Sequence, residues 1–124
     1  MVQGIGIDII EVSRLKKMVE KGNRFIEKVF TETEISYCRG KYKQEIHFAA
    51  RFAAKEAFFK ALGTGWRGGM AWTEISVVND ELGKPEIRLS GKTLEYFHKN
   101  NFRTLHLSIS HTKEVAVASV VIES

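Results

Sequence analysis

The sequence predicts an α+β fold: one early strand, then helices, then mostly antiparallel strands around a late helix. Three observations carry this. A short isoleucine-rich run with interspersed glycines opens the chain. Helical segments follow one another through the first half, marked off by glycines and capping residues. The second half is made of short alternating stretches with one helical segment among them.

Taken in order, residues 2–9 (VQGIGIDI) read as a buried strand whose glycines allow close backbone approach. Residues 12–21 form a helix with Leu15, Met18 and Val19 as its apolar stripe. Gly22 stops it, and Asn23 caps a short helix over 24–30. Thr31-Glu32-Thr33-Glu34 has the capping-box spacing and opens a third helix that Gly40 ends. A long central helix runs over 44–62, and Gly63, Gly65, Gly68 and Gly69 then break regular structure. Residues 74–79 alternate as a strand, 80–85 turn, and 86–89 pair back. Ser90 caps a last helix over 92–99. Two strong strands, 104–110 and 115–122, close the chain through the tight connection His111-Thr112-Lys113-Glu114.

The 124 residues suit one domain, 1–124, with 44% hydrophobic content, a single proline and no repeat, linker or low-complexity stretch. The apolar runs are too short to cross a bilayer and the N-terminus has no signal-peptide pattern, so a cytoplasmic protein without membrane association is expected. Cys38 is alone, which excludes an internal disulfide framework and leaves an ordinary, partly buried thiol. The net charge of +4 and pI near 9.3 favour an anionic partner, with plain solubility as the alternative. The basic residues cluster early: Arg14, Lys16, Lys17, Lys21, Arg24 and Lys28, then Arg39, Lys41 and Lys43. A nucleic-acid-binding module would use such a patch with exposed aromatics beside it. Phe48, Phe52, Phe58 and Phe59 instead fall in the central helix, so no nucleic-acid partner is expected.

Two acids sit in segments otherwise built for burial. Asp8 ends the opening apolar run, and Glu56 lies in FAARFAAKEAFFKALGTG, a helix apolar on most sides. Buried charge is costly unless paired or bound to a cation. Along that helix Arg51 and Lys55 fall together, and Glu56 and Lys60 fall together elsewhere, each at i, i+4. A structural Glu56–Lys60 pair is the plain reading. Asp8 adds a second acid that packing does not explain, and with the helix cations Arg51, Lys55 and Lys60 it suggests a site for a metal and phosphates. Magnesium fits such a pair, since it takes one or two carboxylates and shares phosphate oxygens. Zinc fits poorly: Cys38 is alone, and His47, His98, His106 and His111 show no ligand spacing. His47 and His98 read as surface residues of helices. The Leu62-Gly63-Thr64-Gly65 segment follows a helix and is therefore not a P-loop. It either ends the helix or also brings backbone amides to a ligand. His106, Ser108 and Ser110 share one strand face, as a cleft lining or a solvated surface. A Ser–His hydrolase reading of Ser110-His111 fails, because strand neighbours point to opposite faces.

Gly4-Ile5-Gly6-Ile7-Asp8, RFAAKEAFFKALGTG over 51–65, Gly83-Lys84-Pro85 and HLSISHTKEVAVASVVIE over 106–123 occur in order across nearly the whole chain. Together they resemble the holo-acyl-carrier-protein synthase family, the small bacterial type of 4′-phosphopantetheinyl transferase. The resemblance implies the 4′-phosphopantetheinyl transferase fold. It implies transfer of the phosphopantetheine arm of coenzyme A to a serine of apo acyl carrier protein, release of adenosine 3′,5′-bisphosphate, a need for Mg²⁺, and a place in fatty acid biosynthesis. By motif match it implies Asp8 and Glu56 as metal ligands and Asp8, Glu56 and Lys60 as the catalytic set. Coenzyme A would meet Arg51, Lys60, Gly63, Thr64, Gly65, Pro85, His106, His111 and Thr112. Arg14 and Lys43 would meet the acidic carrier protein. Small members are homotrimers with active sites between subunits. The base would be Glu56, directly or through a metal-bound water, with His111 as the other candidate. A scaffold that binds carrier protein without transfer is the remaining alternative, and the presence of both acids argues against it.

Overall fold

The computed structural model describes residues 1–64 and 69–124. Its elements are β1 (Val2–Glu11), α1 (Val12–Glu20), α2 (Asn23–Val29), α3 (Glu32–Arg39), α4 (Gln44–Leu62), a 3-10 turn (Trp72–Glu74), β2 (Ile75–Asn79), β3 (Pro85–Leu89), α5 (Gly91–Lys99), β4 (Thr104–His111) and β5 (Val115–Glu123). The α+β expectation holds. All strand pairs are antiparallel: one sheet has the order β1-β5-β4 and β2-β3 form a separate hairpin.

The centre is α4 lying on one face of the three-stranded sheet. Small residues make this contact close. A Cβ on Gly6 would stand 1.9 Å from the carbonyl oxygen of Ala57, and one on Gly4 2.0 Å from that of Ala61. Strand and helix therefore meet backbone to backbone, which only glycine permits. Opposite them on the sheet, Ala116, Ala118, Val120 and Ile122 are buried under the helix. Trp72 closes the aromatic end of the core, stacked on Phe52 at 5.5 Å and meeting Phe59 edge-on at 5.2 Å.

β1 is not the buried strand expected. Its alternate residues Ile5, Ile7 and Ile9 are 68%, 61% and 67% exposed. The register puts them beside Val121, Ser119 and Val117 of β5, which in turn face His106, Ser108 and Ser110 of β4. The sheet thus has an inner face under α4 and an outer face with an apolar stripe along β1.

One cap assignment also changes. Asn23 is the first residue of α2, and Gly22 takes the cap position; the Asn23 amide oxygen accepts from Arg39 Nη2 at 2.9 Å. Ser90 holds the cap position of α5 as expected, but the capping bonds come from Glu74, whose carboxylate accepts from Lys92 N–H and Thr93 Oγ1, both at 2.8 Å. The capping box of α3 forms as expected, Thr31 Oγ1 accepting from Glu34 N–H and the Glu34 carboxylate from Thr31 N–H. Among the described residues no helix is long and apolar enough to cross a membrane.

Candidate active site

Period-2 geometry carries the inner face of β1 from Gly4 and Gly6 to Asp8. The helix that Gly6 and Gly4 admit at Ala57 and Ala61 presents Glu56 and Lys60 one residue earlier in each turn. The two motifs, 48 residues apart in sequence, therefore converge. Lys60 Nζ donates to Asp8 Oδ1 and to the Ile7 carbonyl, each at 3.0 Å. Asp8 is only 15% exposed and Lys60 53%. The ion pair that forms is Lys60–Asp8, which corrects the structural Glu56–Lys60 pair: the strand lies so close to the helix that its acid takes the lysine.

Glu56 is half-buried. Burial raises its carboxyl above the usual value and the Asp8 charge raises it further, while Lys60 and Arg14 oppose both. Asp8, Arg14, Glu56 and Lys60 therefore share one electrostatic field. A half-buried carboxyl raised partly by a neighbouring acid suits a cation, and hard oxygen donors suit Mg²⁺. Among the described residues no group of three or more His, Cys, Asp or Glu side chains could hold a metal alone. The remaining coordination would fall to water and phosphate oxygens, which is the usual arrangement for this ion.

The helix cation Lys55 does not join the site. Its side chain is fully buried, with Nζ 2.7 Å from Glu34 Oε1, 2.6 Å from the Val29 carbonyl and 3.1 Å from the Trp72 carbonyl. Its three protons are used inside the core, so Lys55 does not serve phosphates as the sequence suggests. Burial lowers its pKa, and Glu34 opposes that shift.

Arg51, one turn earlier, is 5% exposed. Its guanidinium lies 4.0 Å over the Tyr37 ring, and its Nε has no hydrogen-bond partner among the described residues. His47 is half-buried rather than a surface residue, because Tyr37 of α3 and His111 of β4 meet its ring at 5.9 and 5.8 Å. His98 is exposed, as expected. Thr112 Oγ1 accepts from the N–H groups of Glu114 and Val115 and so shapes its own turn. Gly63 ends α4 in the left-handed conformation, φ 79°, donating to the Lys60 carbonyl. Thr64 is half-buried beside it, and Gly65 lies outside the described residues. Lys43 holds a left-handed conformation, φ 57°, at the start of α4, and Arg14 is exposed on α1.

Pro85 and His106 line a separate cleft of about 420 Å³ with Lys84, Phe97, His98 and Arg103. His106 Nε2 sits 2.5 Å from Glu123 Oε1, and this bond holds the Glu123 carboxyl below its usual range. The structure thus gathers Asp8, Glu56, Lys60 and Arg14 in one place, Arg51 and His111 in a second, and Pro85 and His106 in a third. His106 lies on the outer sheet face, whereas Asp8 lies on the inner one. Burial pushes the Cys38 thiol up to about 12, so it is no nucleophile at neutral pH. Sequence reasoning missed Glu34 and His47; neither has a local pattern that signals a contact with a residue far along the chain.

Comparisons with known proteins identify the family to which this α+β chain belongs. A family profile described as the 4′-phosphopantetheinyl transferase superfamily matches residues 4–120. The holo-[acyl-carrier-protein] synthase of Geotalea daltonii is 48% identical over 124 residues, covering 99% of each chain. The crystal structure of a holo-(acyl-carrier-protein) synthase from Bacillus anthracis in complex with CoA (3′,5′-ADP) is similar at 44% identity and a TM-score of 0.83, covering 100% of this chain and 98% of that one. The structure of the Neisseria meningitidis synthase is similar at 34% identity and a TM-score of 0.93, covering all of both chains. The chain belongs to the 4′-phosphopantetheinyl transferase superfamily.

Proposed function

We propose that this chain transfers the 4′-phosphopantetheine group of coenzyme A to a serine of apo acyl carrier protein, with Mg²⁺ held by Asp8 and Glu56. The observation that carries the reading is the convergence of Asp8, Glu56 and Lys60 in a chain of this family. Bound there, Mg²⁺ would neutralise charge on the pyrophosphate of coenzyme A. The serine oxygen attacks the phosphorus that bears the pantetheine arm, and the bond to adenosine 3′,5′-bisphosphate breaks. Glu56, directly or through a metal-bound water, takes the serine proton. Lys60 is half-exposed and free to turn from Asp8 toward the leaving phosphate. Arg51, His106, His111 and Thr112 hold the nucleotide half together with Gly63, Thr64 and Gly65, and Pro85 also meets coenzyme A.

The carrier protein docks on α1 and α2. Met18 and Phe25 form an apolar groove there, rimmed by Lys21, Arg24 and Lys28, with Arg14 nearer the acids and Lys43 as a second contact. Such a rim steers an acidic partner and weakens with salt. The functional unit is a homotrimer whose subunits cover one another's outer sheet faces; the exposed Ile5, Ile7 and Ile9 support this. The reaction is placed in the cytoplasm. The test is mass spectrometry of apo carrier protein incubated with enzyme, coenzyme A and Mg²⁺. A gain of one phosphopantetheine group is expected, lost with Asp8→Ala and with Glu56→Ala. No gain with the wild-type enzyme overturns the reading. Ile7→Glu should leave only monomers in sedimentation velocity; unchanged assembly would remove the sheet face from the interface.

A further inference from the structure

The cluster around Arg51 contains a residue that the reaction scheme does not use. His47 and Arg51 stand one turn apart on α4. The His47 ring is held between Tyr37 of α3 and His111 of β4, in edge contact with each at 5.9 and 5.8 Å. Arg51 lies over the same Tyr37 ring at 4.0 Å, and Lys41 approaches it at 4.8 Å. Among the described residues, the charged and titratable groups facing His47 are His111, Arg51, Lys41 and Tyr37, with Glu45 as the one acid. An excess of positive groups and a buried Arg51 Nε without a hydrogen-bond partner among the described residues point to an anion.

We propose that His47 takes up a proton from solvent when the phosphate-bearing half of coenzyme A reaches Arg51 and His111, so that nucleotide affinity rises as pH falls. This rests on reading the cluster as the nucleotide contact.

In the free protein burial lowers His47 first, then His111, Arg51 and Lys41 lower it further, and Glu45 opposes them. The imidazolium is therefore disfavoured in the free protein, and offsetting the local positive charge favours it. A phosphate bound at Arg51 supplies that offset and favours the imidazolium. The sign follows: a pKa higher in the complex than in the free protein gives an affinity gain that is fully present below the free value and lost as pH rises through the bound value. One proton sets a ceiling of about tenfold in affinity per pH unit.

The experiment is calorimetric titration with coenzyme A at about pH 6 and pH 8, in buffers of different ionisation enthalpy, on wild type and His47→Phe. Phenylalanine keeps a ring against Tyr37 and His111 but carries no proton. Ligand phosphates also titrate near pH 6, and the difference between the two proteins cancels that contribution. We expect His47→Phe to take up fewer protons, and its ratio of affinities between the two pH values to shrink by about 3- to 10-fold. Equal proton uptake and equal ratios in both proteins overturn the proposal while leaving the nucleotide contact intact. Coenzyme A that fails to bind the wild type at either pH overturns the nucleotide reading as well. NMR titration of the His47 ring in the wild type decides the point if the variant does not fold: an upward shift with coenzyme A supports it, and an unchanged midpoint refutes it.

Discussion

Lys55→Met isolates the one fully buried ion pair found among the described residues. The substitution removes a cation with three acceptors, Glu34 Oε1 at 2.7 Å, the Val29 carbonyl at 2.6 Å and the Trp72 carbonyl at 3.1 Å. Glu34, fully buried, keeps its bonds from Val77 N–H and Thr31 N–H but loses its counter-charge. Breaking a buried pair from one side costs about 3–5 kcal/mol. At roughly 0.05–0.15 kcal/mol per residue the whole protein has about 6–19 kcal/mol of stability, so the loss is a large share. Urea unfolding should show the midpoint falling by about 1 M or more. Glu34→Gln/Lys55→Met removes both charges and should recover part of the loss: the lone buried carboxylate is gone, although glutamine accepts at one end only and keeps one of the bonds from Thr31 N–H and Val77 N–H. The double variant should bind coenzyme A within about threefold of wild type, since Lys55 Nζ is buried with its protons already used. A single variant within about 1 kcal/mol of wild type, or a double variant no better than the single, would refute this account.

Gly6→Ala places a methyl 1.9 Å from the Ala57 carbonyl oxygen and 2.7 Å from Ala61 N, both backbone atoms that cannot rotate away; a cost of about 1–3 kcal/mol or more should lower the melting temperature by several degrees in calorimetry. In metal-free protein Glu56→Gln should be more stable than wild type above about pH 5. The Glu56 pKa is raised in the fold, so wild-type stability falls as pH rises from the ordinary value of 4.5 through the raised one, and glutamine removes that loss; identical pH profiles in thermal melts would contradict it. The same variant should no longer be stabilised by Mg²⁺.

Local signals in the sequence survived folding, and long-range ones did not. The Thr31–Glu34 capping box was legible because both partners lie within one turn. The second duty of Glu34, neutralising Lys55 from 21 residues away, was not. On the helix the pairing of Arg51 with Lys55 was visible as a face, yet nothing local says that Lys55 pairs with Glu34 while Arg51 lies over the Tyr37 ring. β1 misled for a similar reason. Inward residues are ordinarily large and apolar, but here they are Gly4 and Gly6, because α4 comes too close for side chains. The isoleucines that looked buried point outward. Asp8 and Glu56 were found because charge in an apolar setting is conspicuous in sequence, whereas their meeting through Ala57 and Ala61 is a product of packing.

Asp8 belongs to the inner face of the sheet, in register with Ala118 and Ile109; His106 belongs to the outer one, in register with Val121 and Ile5. A single coenzyme A reaching both within one chain would have to pass around the sheet, whereas a neighbour docked on the outer face can offer its acids to the first subunit's His106. If that is how the sites are built, two inactive proteins can restore each other. Asp8→Ala and His106→Ala, unfolded and refolded together in equal amounts, assort at random in closed oligomers. Each site then needs an intact acid from one subunit and an intact histidine from the next, so about a quarter of the sites (one half times one half) regain both. Mixed refolding should return activity on that order, while each variant refolded alone stays inactive. Activity that never rises on mixing would mean that Asp8 and His106 of the same chain serve the same site, and the sheet would have to be opened or bypassed within one subunit.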